Sequence, residues 1–361
     1  MDPLKQIMMS GPIGRGMDQL TDLAGLGLLK IMKPLGLIQI NHDIHQVPYE
    51  RARVLWQEAL DRGIDFAEIR PFGRAIDLYC AKIHDKNSYF ISLPRVENMQ
   101  TNNLSWIDDK LLLKKKLQEH GLPVPRGHSL TTFSAALKEF EKLDKPVIVK
   151  PRAGSRGRHT TTLVYDAIDL RKAFRIAKQI CHWVIVEEHL FGDVQRGTVI
   201  GGQLVGVLGG SPPRITGDGQ HSVAELIKLK DSTRPDKVKE IKVNPYFMQR
   251  QNITMDTVLS ASQTVDLSEK IGVNYGGASY DCTPECHPDT KQMFVDAANM
   301  LDISIIGFDF IIPDITKSWK VQKCGIIEAN GAPFIQLHHD PLIGQSINAA
   351  KYVWDLVLQA K

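Results

Sequence analysis

The chain has 361 residues, 43% of them hydrophobic and 24% charged, and a net charge of +3. That length predicts two or three domains and a core large enough to fold without disulfides or a structural metal, and the composition excludes a disordered or fibrous chain. So small a net charge excludes a general nucleic-acid or membrane-surface binder.

The first residues lack the charged-then-apolar pattern of a targeting segment. Residues 20–40 are too interrupted, by Asp22, Lys30, Lys33 and Pro34, to cross a bilayer. The expectation is a soluble cytoplasmic protein. Gly11, Gly14 and Gly16 resemble a phosphate loop only loosely, because no strand precedes them, and they read as a flexible leader. Residues 50–62 carry Val54, Leu55, Ala59 and Leu60 at helical spacing, closed by Gly63, and residues 64–69 alternate like a strand. Together these predict a small α/β unit.

Residues 108–120 predict a helix with Asp108 as N-cap, a stripe of Leu111, Leu112, Leu113 and Leu117, and Gly121 as the stop. A second helix is predicted over 132–143, a buried strand over 146–150, and a Gly/Arg loop over 151–159. A return strand over 160–165, a helix over 170–181 and a strand over 183–187 follow. Gly201-Gly202 marks a hairpin between strands at 197–200 and 203–208. A long helix-poor stretch then runs to residue 289. After it come a helix over 288–301, apolar strands at 305–311 and 325–329, and a last helix over 347–358. Helices and strands do not alternate strictly, which predicts α+β lobes rather than a doubly wound sheet.

Five cysteines, an odd and scattered set, read as reduced thiols. Cys282, Cys286 and His287 lack a fourth zinc ligand, so the two cysteines read as free thiols. Glu328 and Asn330 lie two apart at a strand end and face the same side. Asp309 sits alone in an apolar strand, where a charge needs a partner or a cation. Two carboxylates and an amide oxygen suit magnesium held with phosphates; a carboxylate meeting an arginine is the other reading. Lys110 opens a helix and Lys150 closes a buried strand. The loop beyond carries Gly154 and Gly157 among Arg152, Arg156 and Arg158, which fits phosphate or, taken alone, a solvated basic loop. No GxxxxGK[ST] is present.

Taken in order, these residues lay out a nucleotide site along one chain, and from about residue 106 the sequence resembles the ATP-grasp ligases. It is most similar to the ATP-grasp part of cyanophycin synthetases and of bifunctional glutathione synthetases. The matching words are VIVKPRAGSRGR, VIVEEHLFGD, SPPRITGDGQHSVAELI, GGASYDCTPECHPDT, GFDFIIPDI and IIEANGAPFIQLHHDP.

The resemblance implies an α+β ATP-grasp fold over 106–361, with 127–188 as a mobile lid lobe, preceded by an α/β region over 1–105. It implies an ATP-dependent carboxylate–amine ligase acting through an acyl phosphate on small-molecule or peptide substrates, with no nucleic-acid or membrane partner; a homodimer is compatible with it. By the same resemblance Lys110 and Lys150 contact the phosphates, and Gly154, Gly157 and Arg158 close over them. Glu187, Glu188, His189 and Asp193 serve the base and ribose. Asp309, Glu328 and Asn330 hold magnesium or manganese. Arg196 and Arg214 steady the acyl phosphate, and Asn274 and Gly277 lie near the γ-phosphate.

Departures from the family's pattern are Val194, where an acidic ribose contact usually stands, and Phe334 and Gln336, where Gly and Arg are common. A nucleotide-binding scaffold without ligation is the alternative function.

Overall fold

The computed structural model describes residues 32–96, 104–153 and 159–360. Strands β1 (Ile38–Asn41), β2 (Phe66–Pro71), β3 (Leu78–Ile83) and β4 (Lys86–Ile91) pair in sequence order as an antiparallel meander. Helix α1 (Glu50–Asp61) packs on it through Ala52, Trp56 and Ala59, while Leu55 joins a second core with Ile200 and Ile305. The sequence reading placed Val54 and Leu60 on that face, but Leu60 is exposed, because the buried stripe is centred on Trp56.

Helix α2 (Lys110–Glu119) is capped by Asp109, not Asp108; the Asp109 carboxylate accepts from the amides of Leu111 and Leu112 at 3.1 and 3.3 Å. Its buried face is Lys110, Leu113, Lys114 and Leu117, so two lysines point inward where a leucine stripe was expected. A second antiparallel sheet orders β5 (Gly127–Leu130), β8 (Val184–Glu188), β6 (Val147–Pro151) and β7 (Thr161–Val164). Helices α3 (Phe133–Lys142) and α4 (Ala167–Lys178) close its core. Asp166 caps α4, which starts at Ala167, three residues before the predicted start.

The largest sheet has five antiparallel strands in the order β13 (Ala278–Asp281), β10 (Gln203–Ser211), β9 (Asp193–Ile200), β14 (Ile305–Ile312) and β15 (Gly325–Asn330). Gly201 and Gly202, at φ +59° and +73°, make the β9–β10 turn. One face of this sheet is apolar. Phe308 and Phe310 lie on it beneath helix α7 (Pro288–Leu301), and Gly197 leaves room for the Phe294 ring, which a Cβ there would meet at 2.5 Å.

The stretch read as helix-poor holds α5 (Val223–Ser232) and α6 (Pro245–Gln249), beside the small pair β11 (Arg214–Thr216) and β12 (Thr264–Asp266). Ser222 and Glu225 form a capping box that starts α5. The chain closes with α8 (Gln336–His339) and α9 (Ala349–Gln359). Trp354 of α9 enters the core of the first sheet, 6.1 Å from Phe66, and its indole NH donates to the Leu55 carbonyl at 3.0 Å. Among the described residues no helix is long and apolar enough to cross a membrane. Residues 1–31, with the predicted glycine leader, lie outside the described residues.

Candidate active site

The face of the five-stranded sheet turned away from Phe294 is apolar at Ile200 and Ile305, which pack with α9, and carries a polar band beside them. In the strand register Glu328, Asp309 and Arg196 stand opposite one another on β15, β14 and β9. Opposed residues of antiparallel strands share a face, so the three side chains form one transverse row. Arg196 grips Asp309 with two donors, Nε to Oδ1 at 2.7 Å and Nη2 to Oδ2 at 2.9 Å. Burial disfavours the Arg196 charge, but the Asp309 carboxylate more than offsets it and raises the arginine's pKa. Glu328 is met by Lys110 Nζ at 3.5 Å.

One residue pair along, Asn330 and Thr198 flank Gly307, where a Cβ would come within 2.9 Å of Pro333. Thr198 Oγ1 lies 2.8 Å from Nε2 of the buried His338. Burial, and then the nearby Arg196 charge, bring His338 down to about 4, so the imidazole is neutral at pH 7.

A second cluster stands one helical turn away. Lys114, four residues after Lys110 on the same face of α2, places Nζ 2.6 Å from Glu187 Oε2. Lys150 of β6 places Nζ 2.5 Å from the other oxygen of Glu187, an ion pair without the angle of a good hydrogen bond. Glu187 is wholly buried. Burial pushes its pKa up, but the charges of Lys150 and Lys114 outweigh that and hold it below the ordinary carboxylate value. Helix α2 therefore joins the two sheets through paired lysines, one on each sheet's carboxylate.

Other predicted residues serve elsewhere. Glu188 accepts from the Arg126 amide at 2.9 Å and pairs with Lys323 at 2.9 Å, tying the second sheet to the chain that enters β15. The His189 amide donates to the Pro146 carbonyl at 3.3 Å; its half-buried ring has a bare, buried Nδ1, and desolvation takes it down to about 4. Arg152 is committed to the α2 cap, holding both Asp109 oxygens at 2.8 and 2.7 Å.

Strand alternation turns Asp193 to the face opposite Arg196, where it accepts from Tyr280 Oη at 2.8 Å and pairs with Arg214 at 3.1 Å. Val194 points instead toward the Arg196 row. Arg214 is further committed to Asp266 at 2.6 Å. With Gly277 and Lys230, Arg214 lines a separate cavity of about 390 Å³ whose lining does not include Arg196. Asn274 is exposed in the loop before Gly276 and Gly277. A Cβ on Gly277 would fall 2.1 Å from the Ser211 carbonyl, so that glycine is needed for backbone packing. Gly154, Gly157 and Arg158 lie outside the described residues.

Sequence reasoning missed Lys114, although its spacing of four from Lys110 was visible. It also missed two arginines of the first α/β region. Arg51 donates to the Ala332 carbonyl at 2.9 Å, and Arg95 to Gly331 at 2.7 Å. Arg51 is itself held by Asp77 at 2.8 Å. Its guanidinium and that of Arg196 lie 5.7 and 5.9 Å from the Phe334 ring. No sequence signal marks contacts between positions so far apart.

No family model matches the chain. It is 27% identical over 345 residues to a glutathione biosynthesis bifunctional protein of Clostridium perfringens, covering 88% of this chain and 42% of that protein. To a cyanophycin synthetase of Crocosphaera subtropica it is 30% identical over 261 residues, covering 69% of this chain and 30% of that one. A crystal structure of a bifunctional glutathione synthetase from Pasteurella multocida matches with a TM-score of 0.56 at 26% identity, over 85% of this chain and 43% of that chain. The chain has the ATP-grasp fold. The α+β class expected from the sequence, and the resemblance to these ligases, agree with that finding. The chain spans about two fifths of the length of the glutathione proteins it matches.

Proposed function

We propose that this chain is an ATP-dependent ligase that joins a carboxylate, of an amino acid or peptide, to an amine. One observation carries the reading: the Arg196–Asp309–Glu328 row, met by Lys110, lies one helical turn from the Lys114–Glu187–Lys150 cluster. Cations and carboxylates so interleaved suit a polyphosphate held together with a hard metal ion. Asp309, Glu328 and Asn330 bring oxygen donors side by side, and cations rather than backbone amides hold the two carboxylates. The donor set therefore fits magnesium or manganese, and releasing Arg196 and Lys110 from it frees both for phosphate oxygens. Such an ion, when bound, spreads the charge of the transferring phosphoryl group.

In this reading Lys110 and Lys150 bind the phosphates, and Glu187 accepts from the adenine amino group. Residues 127–188 act as the closing lid, which is supported by a core cluster confined to residues 136–186. Residues 1–105 form the preceding region. A substrate carboxylate oxygen attacks the γ-phosphorus and ADP leaves. Arg196 steadies the acyl phosphate, an amine nitrogen attacks its carbonyl carbon, and phosphate leaves as the amide forms. The chain's residues act by position and charge, with no covalent nucleophile.

The two-donor grip of Arg196 on Asp309 favours a second reading, a nucleotide-binding scaffold, since it satisfies the carboxylate without metal. Phosphate release from ATP with a pool of amino acids and short peptides separates the two. The ligase releases phosphate, and Asp309→Asn or Glu328→Gln lowers turnover by about 10² to 10³. ATP binding without release supports the scaffold. A wild-type rate in either variant removes the metal assignment.

A further inference from the structure

Glu187 and its two lysines form a buried cluster with two cations on one anion. Glu187 is 1% exposed, Lys150 7% and Lys114 5%, so solvent does little to balance the extra positive charge. A phosphate drawn to Lys150 balances it. Lys114 then stays as the partner of Glu187, and the two ends of that carboxylate differ. Oε2 is taken by the Lys114 ammonium at 2.6 Å. Oε1 is buried and receives no well-angled donor. An ionised carboxylate only accepts hydrogen bonds, so Oε1 welcomes an exocyclic amino group and repels a carbonyl oxygen.

We infer that Lys114 is a positioning residue for base selection: by occupying Oε2 from the other side of the cleft, it keeps Glu187 ionised and aims Oε1 at the 6-amino group of a purine. The inference rests on the reading that Glu187 meets the base. It adds that the choice between 6-amino and 6-oxo purines is made by a lysine on helix α2, outside the sheet that carries Glu187. Without Lys114, burial favours the protonated acid, which donates a hydrogen bond to a 6-oxo group as readily as it accepts one from an amine.

The probes are ATP and ITP: at position 6 an amino donor becomes a carbonyl acceptor, and N1 changes from acceptor to donor, a second difference common to every variant compared. Their dissociation constants are measured by calorimetry on the full chain, together with its thermal melting. Wild type should prefer ATP, and Lys114→Met should shrink the ATP/ITP affinity ratio by about tenfold. Lys114→Arg should keep the ratio. Where Met costs the fold, Lys114→Gln carries the test, since it removes the charge and keeps a polar end. Glu187→Gln should also shrink the ratio, because an amide both donates and accepts.

If Glu187→Gln changes the ratio and neither neutral Lys114 variant does, the role given to Lys114 is wrong while Glu187 still reads the base. Equal weakening of both nucleotides by Lys114→Met likewise marks a merely structural lysine. An unchanged ratio in Glu187→Gln removes Glu187 from base recognition, and Lys114 with it.

Discussion

The sheet β5–β8 closes its core from within its own segment, using residues 136–186. The sheet β1–β4 does not: Trp354 and Val357 of α9 complete its core, and the Trp354 indole reaches a carbonyl 299 residues away in the chain. The ties that join β5–β8 to the rest include several polar ones: Lys114 to Glu187, Arg152 to Asp109, and Lys323 to Glu188. Apolar burial is non-directional and lost in one step, whereas ion pairs at a cleft can be exchanged for ligand contacts. The two sheets, equal in strand number, thus differ in what they are free to do. One is fused into the body by apolar burial, and the other is tied to it partly by ion pairs.

The largest effect should come from Trp354→Ala, which empties the shared core at the cost of about 4 kcal/mol. Urea unfolding should show β1–β4 and α9 lost together. Survival of the first sheet's near-ultraviolet signal would show that α9 is only docked there. Phe174→Ala, at the centre of the β5–β8 core beside Phe133, should cost about 3 kcal/mol. That loss should be local, with faster hydrogen exchange in residues 127–188 and unchanged protection in β9 and β14. Uniform loss of protection would erase the contrast between the two sheets.

The smallest effect belongs to Lys323→Ala, which cuts a half-exposed tie and should cost less than about 1 kcal/mol. Its pH dependence sharpens the comparison. Burial raises the Glu188 pKa, but the Arg126 amide and Lys323 outweigh it and leave the folded value below the ordinary 4.5. The tie is therefore fully present above pH 4.5 and lost as pH falls through the lower folded value. Exchange in β5 and β8 should rise with acid in wild type, and rise less in Lys323→Ala. Equal acid sensitivity in both would assign the effect to other carboxylates.

Periodic segments with clear ends were legible before the fold was known. Helix 288–301 was read to the residue, because Pro288 suits the first helical position and Asp289 the first turn. The strand end carrying Glu328 and Asn330, and Asp309 alone in its apolar run, were also legible, since a charge among isoleucines has few explanations. Three kinds of information were not. The Ser222–Glu225 capping box was visible yet unused, so α5 went unread within a stretch taken as helix-poor. In LLLKKK the lysines look solvated, and only the rotation of α2 turns Lys114 inward. Asp193 and Val194 differ by one position, and which faces Arg196 depends on a register that pairing across the sheet determines.

The two arginines that grip the Gly331–Ala332 carbonyls bear on how portable this site is. They clasp main chain, so the grip does not depend on which side chains the loop displays. Phe334 can therefore be exchanged during engineering while the loop keeps its course. A graft of residues 106–361 alone would carry every predicted metal ligand and still leave that loop without its two outside anchors. The smallest transplantable unit is thus discontinuous: it must include α1 and Arg95 along with the strands that bear Asp309 and Glu328.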